Sequence, residues 1–120
     1  MWLPLMHPFL SHQLKRVARR ATLGLGRVGS IARNGSRDIF IAFSTANKTS
    51  SSSKVPNNIS MLQNDHINPV FQATVEATEE AIINALIAGK DMTGHLGRKV
   101  EAIDHQLLIN ILDKHNRIKN

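Results

Sequence analysis

Residues 38–44, Asp-Ile-Phe-Ile-Ala-Phe-Ser, put Ile39, Ile41 and Phe43 on one side of an extended chain and Phe40 and Ala42 on the other. A strand with apolar side chains on both faces must be covered on both, so it needs neighbours. The rest of the 120 residues supplies only one further short candidate strand, at residues 99–103. Everything else with regular patterning is helical. Small isolated sheets are marginal, so the order helix, strand, helix, short strand, helix is expected to be an incomplete fold, with one convincing strand between helices that each offer an apolar face.

Three helices are expected. From residue 11, Ser11 is placed as the N-cap, and Leu14, Val17, Ala18 and Ala21 recur at helical spacing until Gly24, Gly26 and Gly29 end or bend the helix. The strongest helix spans Asn68–Ala88, with Asn68 as cap, Pro69 in the first helical position and Gly89 as the stop. Its Ala73, Ala77, Ala81 and Ala85 form a ridge of small residues flanked by Phe71, Val75, Ile82 and Leu86, and this is the expected packing face. After a turn at Gly94 and Gly97, Asp104 caps a last helix carrying Leu107, Leu108, Ile111 and Leu112. Between strand and long helix, residues 47–58 are polar and serine-rich, an exposed loop by composition.

Several classes of function are excluded early. The absence of cysteine removes disulfide staples, thiolate zinc sites and a cysteine nucleophile. No run approaches the roughly 18 apolar residues a membrane-crossing helix needs, so a soluble protein without membrane partners is expected, with the cytoplasm as its location. Met1 to Leu10 is apolar but has Pro4 and Pro8, no basic start and no cleavage site, which makes a poor secretory signal. The net charge of +6 is local: Lys15, Arg16, Arg19, Arg20, Arg27, Arg33 and Arg37 all precede the first acidic residue, Asp38, which leaves eight of the 15 basic residues to face all nine acidic ones. A basic segment can bind phosphates, but this one lacks aromatic interleaving or a recognition motif, so a solvated helix face is preferred to nucleic-acid binding.

Isolated motifs carry little. Gly24-Leu25-Gly26-Arg27-Val28-Gly29 fits G-x-G-x-x-G, but a helix leads into it and a strand follows, the reverse of a dinucleotide site. The six histidines show no pair at helical metal spacing. Glu79 and Glu80 are adjacent within a helix and point apart, so one is free to form a salt bridge but the two cannot form an acid/base pair. Asn34-Gly35-Ser36-Arg37-Asp38 admits two readings. If it is already extended, Ser36 and Asp38 share a face, where a hydroxyl beside a carboxylate can orient and relay a proton for a nucleophile. If it is a turn, Asn34 and Gly35 adopt left-handed angles and Asp38 pairs locally.

Three blocks decide between them: HQLKRVARRATLGLGRVGS from His12, then ARNGSRDIFIAFSTAN, then ATVEATEEAIINAL with AGKDMTG. Together, over residues 8–112, they resemble the C-terminal, β-chain part of the L-aminopeptidase/D-esterase and β-aminopeptidase (DmpA-type) family. The resemblance implies an α+β chain, part of an αββα sandwich laid out like the N-terminal-nucleophile hydrolases and incomplete here. It divides the chain into a divergent segment 1–10, a β-chain-like part 11–115 containing the 47–58 loop, and a tail 116–120. It also implies a precursor that cuts itself before a serine, which then attacks amides or esters at the N-termini of short peptides. No metal or cofactor takes part. The implied partners are the α-chain or N-terminal portion of the same enzyme, in a homo-oligomer of α/β pairs, and short peptide or amide substrates.

The family's N-G-S-G-[DE] pattern falls on Asn34, Gly35, Ser36, Arg37 and Asp38, which makes Ser36 and Asp38 the catalytic supporting pair. Two departures follow. Arg37 replaces a glycine, adding a bulky cation beside Asp38. The family's nucleophile serine and its β-rich run have no counterpart before Pro8, and Ser11 starts a helix, so the nucleophile is expected to be absent, the residue 38–44 strand to lack its neighbour, and the chain to be inactive alone. The alternatives are a β-type subunit completed by a separately encoded partner, or a small basic nucleic-acid-binding protein.

Overall fold

The computed structural model describes residues 2–5, 7–35, 38–47 and 59–118. Two compact units result, Met1–Glu80 and Ala81–Asn120. In the first, helix α1 (Ser11–Arg27) starts without the expected serine cap. Ser11 is its first helical residue; Leu10 holds the cap position in extended geometry, and the Leu10 N–H donates to Gln13 Oε1 at 3.2 Å. Glutamine three residues past the cap can take this bond, so the serine hydroxyl is not required.

Gln13 is fully buried and its polar atoms are satisfied: Nε2 donates to Leu62 O at 2.7 Å and to Asn64 Oδ1 at 3.1 Å. A buried amide left unpaired would cost about 1–3 kcal/mol, so this contact pins the start of α1 to the segment before the long helix. Leu62 N–H in turn donates to Pro8 O at 2.8 Å. Around this seam lies the apolar core of Phe9, Val17, Ile67 and Phe71, with Leu14, Leu62 and Val70 packed against it.

Helix α2 (Asn68–Ala88) ends where its sequence signals imply, but Asn68 is its first helical residue and not its cap, since the Ile67 carbonyl accepts from Val70 N at 3.0 Å and Phe71 N at 3.1 Å, and the helix packs on a different face. Ala73, Ala77, Ala81 and Ala85 are exposed, while Phe71, Thr74 and Thr78 are buried. The reason lies on α1: a Cβ at Gly24 would stand 2.5 Å from Val75 O and 2.7 Å from Thr78 Cβ. The small residue that permits close approach therefore belongs to α1, and the branched threonine fits against it. The threonine hydroxyls bond back along α2, Thr74 Oγ1 to Val70 O and Thr78 Oγ1 to Thr74 O, both at 2.7 Å, so burial leaves no orphaned donor.

The expected 38–44 strand is shorter, β2 (Ile41–Ser44), and it does have a neighbour. The proline-containing start of the chain forms β1 (Trp2–Leu5), which pairs with β2 in parallel from Trp2 opposite Ile41 to Leu5 opposite Ser44. Proline is tolerated in an edge strand, where a missing N–H can face away from the ladder. Burial on both faces, however, is not reached. Phe40 and Ala42 are half-buried near α1, whereas Ile39 is 71% exposed, Ile41 45% and Phe43 38%. Of the polar loop, residues 48–58 lie outside the described residues. Its flanks are clamped in both directions, Asn47 Nδ2 to Ser60 O at 2.9 Å and Ser60 N to Asn47 Oδ1 at 3.0 Å.

In the second unit, β3 (Met92–Thr93) and β4 (Lys99–Val100) form a short antiparallel hairpin, so the strand expected at 99–103 is confined to its first two residues. Gly97 at φ +72 makes the turn as its position implies, and Leu96 joins it at φ +60. Helix α3 (His105–Lys114) is capped by Asp104, whose Oδ1 accepts from Leu107 N at 3.0 Å. No described residue of this unit is buried.

Candidate active-site segment

Between α1 and β2 the chain turns twice. Gly29 adopts φ +94, which costs glycine nothing, and Ala32 adopts φ +48, which alanine rarely does. The Ala32 N–H donates to Ser30 Oγ at 3.3 Å, a local bond that helps hold the kink. Asn34 and Gly35 follow as a turn, neither with positive φ among the described residues. The left-handed position thus falls on Ala32 and not on the Asn-Gly pair. Composition gives no signal for that choice.

Of the two supporting residues, Ser36 lies outside the described residues, as does Arg37. Asp38 is described and exposed, three residues ahead of β2, so no regular strand extends to it. It borders a cavity of about 280 Å³ with Thr22, Leu25, Ser30, Ile31, Ala32 and Phe40. Ser30 and Ile31 also line a second hollow of about 570 Å³ with Gly29, Arg33 and Gly35. The kinked connection thus separates two concave surfaces, and Asp38 is the carboxylate lining one of them.

Three of the five basic residues of α1 make contacts within the fold, whereas Lys15 and Arg19 are exposed. Arg20 stands 3.8 Å and Arg16 5.1 Å from the centre of the Phe71 ring, a stacked cation–π arrangement. Arg16 Nη1 also donates to Asn64 Oδ1 at 3.0 Å, and Arg27 pairs with Glu79 at 2.9 Å, the salt bridge that the Glu79-Glu80 pair left open. These contacts make the segment structural, and they are not legible from charge counting. Among the described residues, no group of three or more His, Asp or Glu is placed to hold a metal, and no helix is long and apolar enough to cross a membrane.

Comparison with known proteins extends beyond any one motif. The sequence pattern of peptidase family S58 matches residues 7–100. The chain is 45% identical over 114 residues to the β-peptidyl aminopeptidase BapA of Sphingosinicella microcystinivorans, covering 92% of this chain and 28% of that protein. Its fold superposes on a protein of Pyrococcus horikoshii with TM-score 0.87 at 41% identity, over 96% of this chain and 33% of the other. It is equally similar, at TM-score 0.86 and 41% identity, to the L-aminopeptidase D-Ala-esterase/amidase of Ochrobactrum anthropi, a serine aminopeptidase with a variant of the Ntn-hydrolase fold, over 98% of this chain and 34% of the other. The chain spans about a third or less of each relative, and its mixed helix and sheet is a part of that fold.

Proposed function

The chain belongs to peptidase family S58, and from that membership we propose that it is the β-chain-like part of a self-processing serine aminopeptidase. The assembled enzyme removes N-terminal residues, β-amino acids included, from short peptides, amides or esters. The observation that supports this reading most is the extent of the likeness, 92% of the chain at 45% identity to a β-peptidyl aminopeptidase. Arg16, Arg20 and Arg27 of α1, which a nucleic-acid reading would use, are engaged with Phe71, Asn64 and Glu79 instead.

In this reading the nucleophilic serine, supplied with the rest of the fold, attacks the substrate carbonyl. The C–N or C–O bond breaks, the leaving amine or alcohol takes up a proton, and water then cleaves the acyl-enzyme. Ser36 and Asp38 hold the nucleophile and relay its proton, which by itself is worth about 10²–10⁴-fold in rate. Arg37, one residue from each, adds positive charge where the family carries glycine, and it slows the reaction. The chain alone is inactive, because these groups only assist. Its partners are the remaining S58 portion and a homo-oligomer of such pairs.

The test is complementation: coexpress this chain with the part of the S. microcystinivorans enzyme outside the match, and follow release of p-nitroaniline from the β-alanyl anilide. Turnover is expected from the pair, with kcat falling by about 10² or more in Ser36→Ala and Asp38→Asn and rising in Arg37→Gly. Unchanged kcat in Asp38→Asn would contradict the assigned role.

A further inference from the structure

We propose that Asn34 is a site of spontaneous covalent modification, at which the Asn34-Gly35 linkage rearranges through a cyclic imide to aspartate and isoaspartate. The chemistry needs a side-chain amide free to turn onto the backbone, a following N–H that nothing else holds, and no side chain on the next residue to block the approach. Residues 34–35 are the one Asn-Gly pair in the 120-residue sequence, and glycine meets the last condition outright. The fold meets the other two. Asn34 and Gly35 form an exposed turn in the connection between α1 and β2. Among the described residues no hydrogen bond reaches the Asn34 amide or the Gly35 N–H, and a Cβ on Gly35 would meet nothing within 4 Å.

Other asparagines are held. Asn64 Oδ1 accepts from Gln13 Nε2 at 3.1 Å and from Arg16 Nη1 at 3.0 Å, and Asn47 is clamped to Ser60 through both ends of its amide. Beyond Asn116, the Arg117 N–H is already donated to Leu112 O at 2.8 Å. A group in such a bond must give it up before it can react, and Asn34 has none to break. The step balances without a cofactor. Gly35 N loses its proton to base and attacks Asn34 Cγ; the N–Cγ bond forms, the Cγ–Nδ2 bond breaks, and Nδ2 takes up a proton and leaves as ammonia. Water then opens the imide. Attack at Cγ gives aspartate on the normal backbone, whereas attack at the main-chain carbonyl carbon leaves the chain running through the side chain as isoaspartate. Either product places a new carboxylate next in sequence to Arg33, and the second adds a methylene to the connection that leads to Ser36 and Asp38. This chemistry belongs to the chain itself and does not depend on the S58 reading.

The experiment incubates the full 120-residue chain in mildly alkaline buffer and follows the tryptic peptide of residues 34–37 by mass spectrometry. That peptide gains one mass unit and separates into two products. The isoaspartyl product accepts a labelled methyl group from S-adenosylmethionine and an isoaspartyl methyltransferase. Peptides carrying Asn47 and Asn64 stay unmodified over the same period. Gly35→Ala, whose Cβ has room and whose position has no positive φ, keeps the far-UV circular dichroism of the wild type and slows the conversion at least about tenfold. Because the turn leaves Asn34 unheld, its rate in the folded chain is within about threefold of its rate in urea. Conversion at least about tenfold slower in the folded chain than in urea would show that the turn protects Asn34, and it overturns the proposal. Conversion of Gly35→Ala at the wild-type rate overturns it as well.

Discussion

Helices α1 and α3 each carry apolar residues at helical spacing, yet only α1 finishes its own packing. In Met1–Glu80, α1 buries Gln13, Val17, Ala21 and Gly24 against Phe9, Ile67, Phe71 and Thr78. In Ala81–Asn120, α3 holds Leu107, Leu108, Ile109, Ile111 and Leu112, and Leu107 remains 57% exposed, Ile109 48% and Ile111 47%. α3 is amphipathic, and among the described residues its apolar face is not buried. The difference teaches that apolar pattern marks where a helix can pack, while the presence of a partner decides whether it does. In a chain that spans about a third of the length of its relatives, the second unit is the part in which no described residue is buried.

The sharpest way to break this comparison is to truncate one apolar residue on each side of it. Phe71→Ala removes a core ring and the surface on which Arg16 and Arg20 stack, and should lower unfolding free energy by about 3–5 kcal/mol in urea titration. Leu107→Ala in the isolated chain should change it by less than about 0.5 kcal/mol. Equal losses would mean that α3 has a core of its own. Next in size, Gly24→Ala forces a methyl against Val75 O and Thr78, and should cost about 1–3 kcal/mol by the same titration. A neutral result would show that α1 and α2 do not approach as described. The smallest effect is Asp104→Ala, which removes the side-chain cap of α3 and should cost about 1 kcal/mol of helix stability, measured as faster amide exchange at Leu107. Asp104→Asn should restore protection.

Local chemistry makes α2, the Asp104 cap and the Gly97 turn legible in the sequence, because each depends on residues within a few positions of one another. Three features are not legible, for the opposite reason. The pairing of Trp2–Leu5 with Ile41–Ser44 joins segments nearly forty residues apart, and Pro4 argues against a strand. The choice of Thr74 and Thr78 over the alanine ridge is made by Gly24 on another helix. The Gln13 bonds that displace Ser11 as the organiser of the α1 start reach residues 62 and 64. At the candidate site, the kink at Ala32 has no compositional signature. Asp38 emerges from the resemblance and not from spacing; β2 begins only at Ile41, and Ser36 and Arg37 lie outside the described residues.

The central claim is that α1 is packed into a core within this chain, whereas α3 has no buried residue among those described. Native-state hydrogen exchange, residue by residue, tests it most directly. In the isolated chain, the amides of Val17, Ala21, Thr74 and Thr78 should be the slowest to exchange, and those of Leu108, Ile111 and Leu112 should exchange by local opening, at least about a hundredfold faster. Adding the complementing part of an S58 enzyme should slow the α3 amides toward the α1 values. Protection of α3 equal to that of α1 in the isolated chain, unchanged on complementation, would contradict the claim.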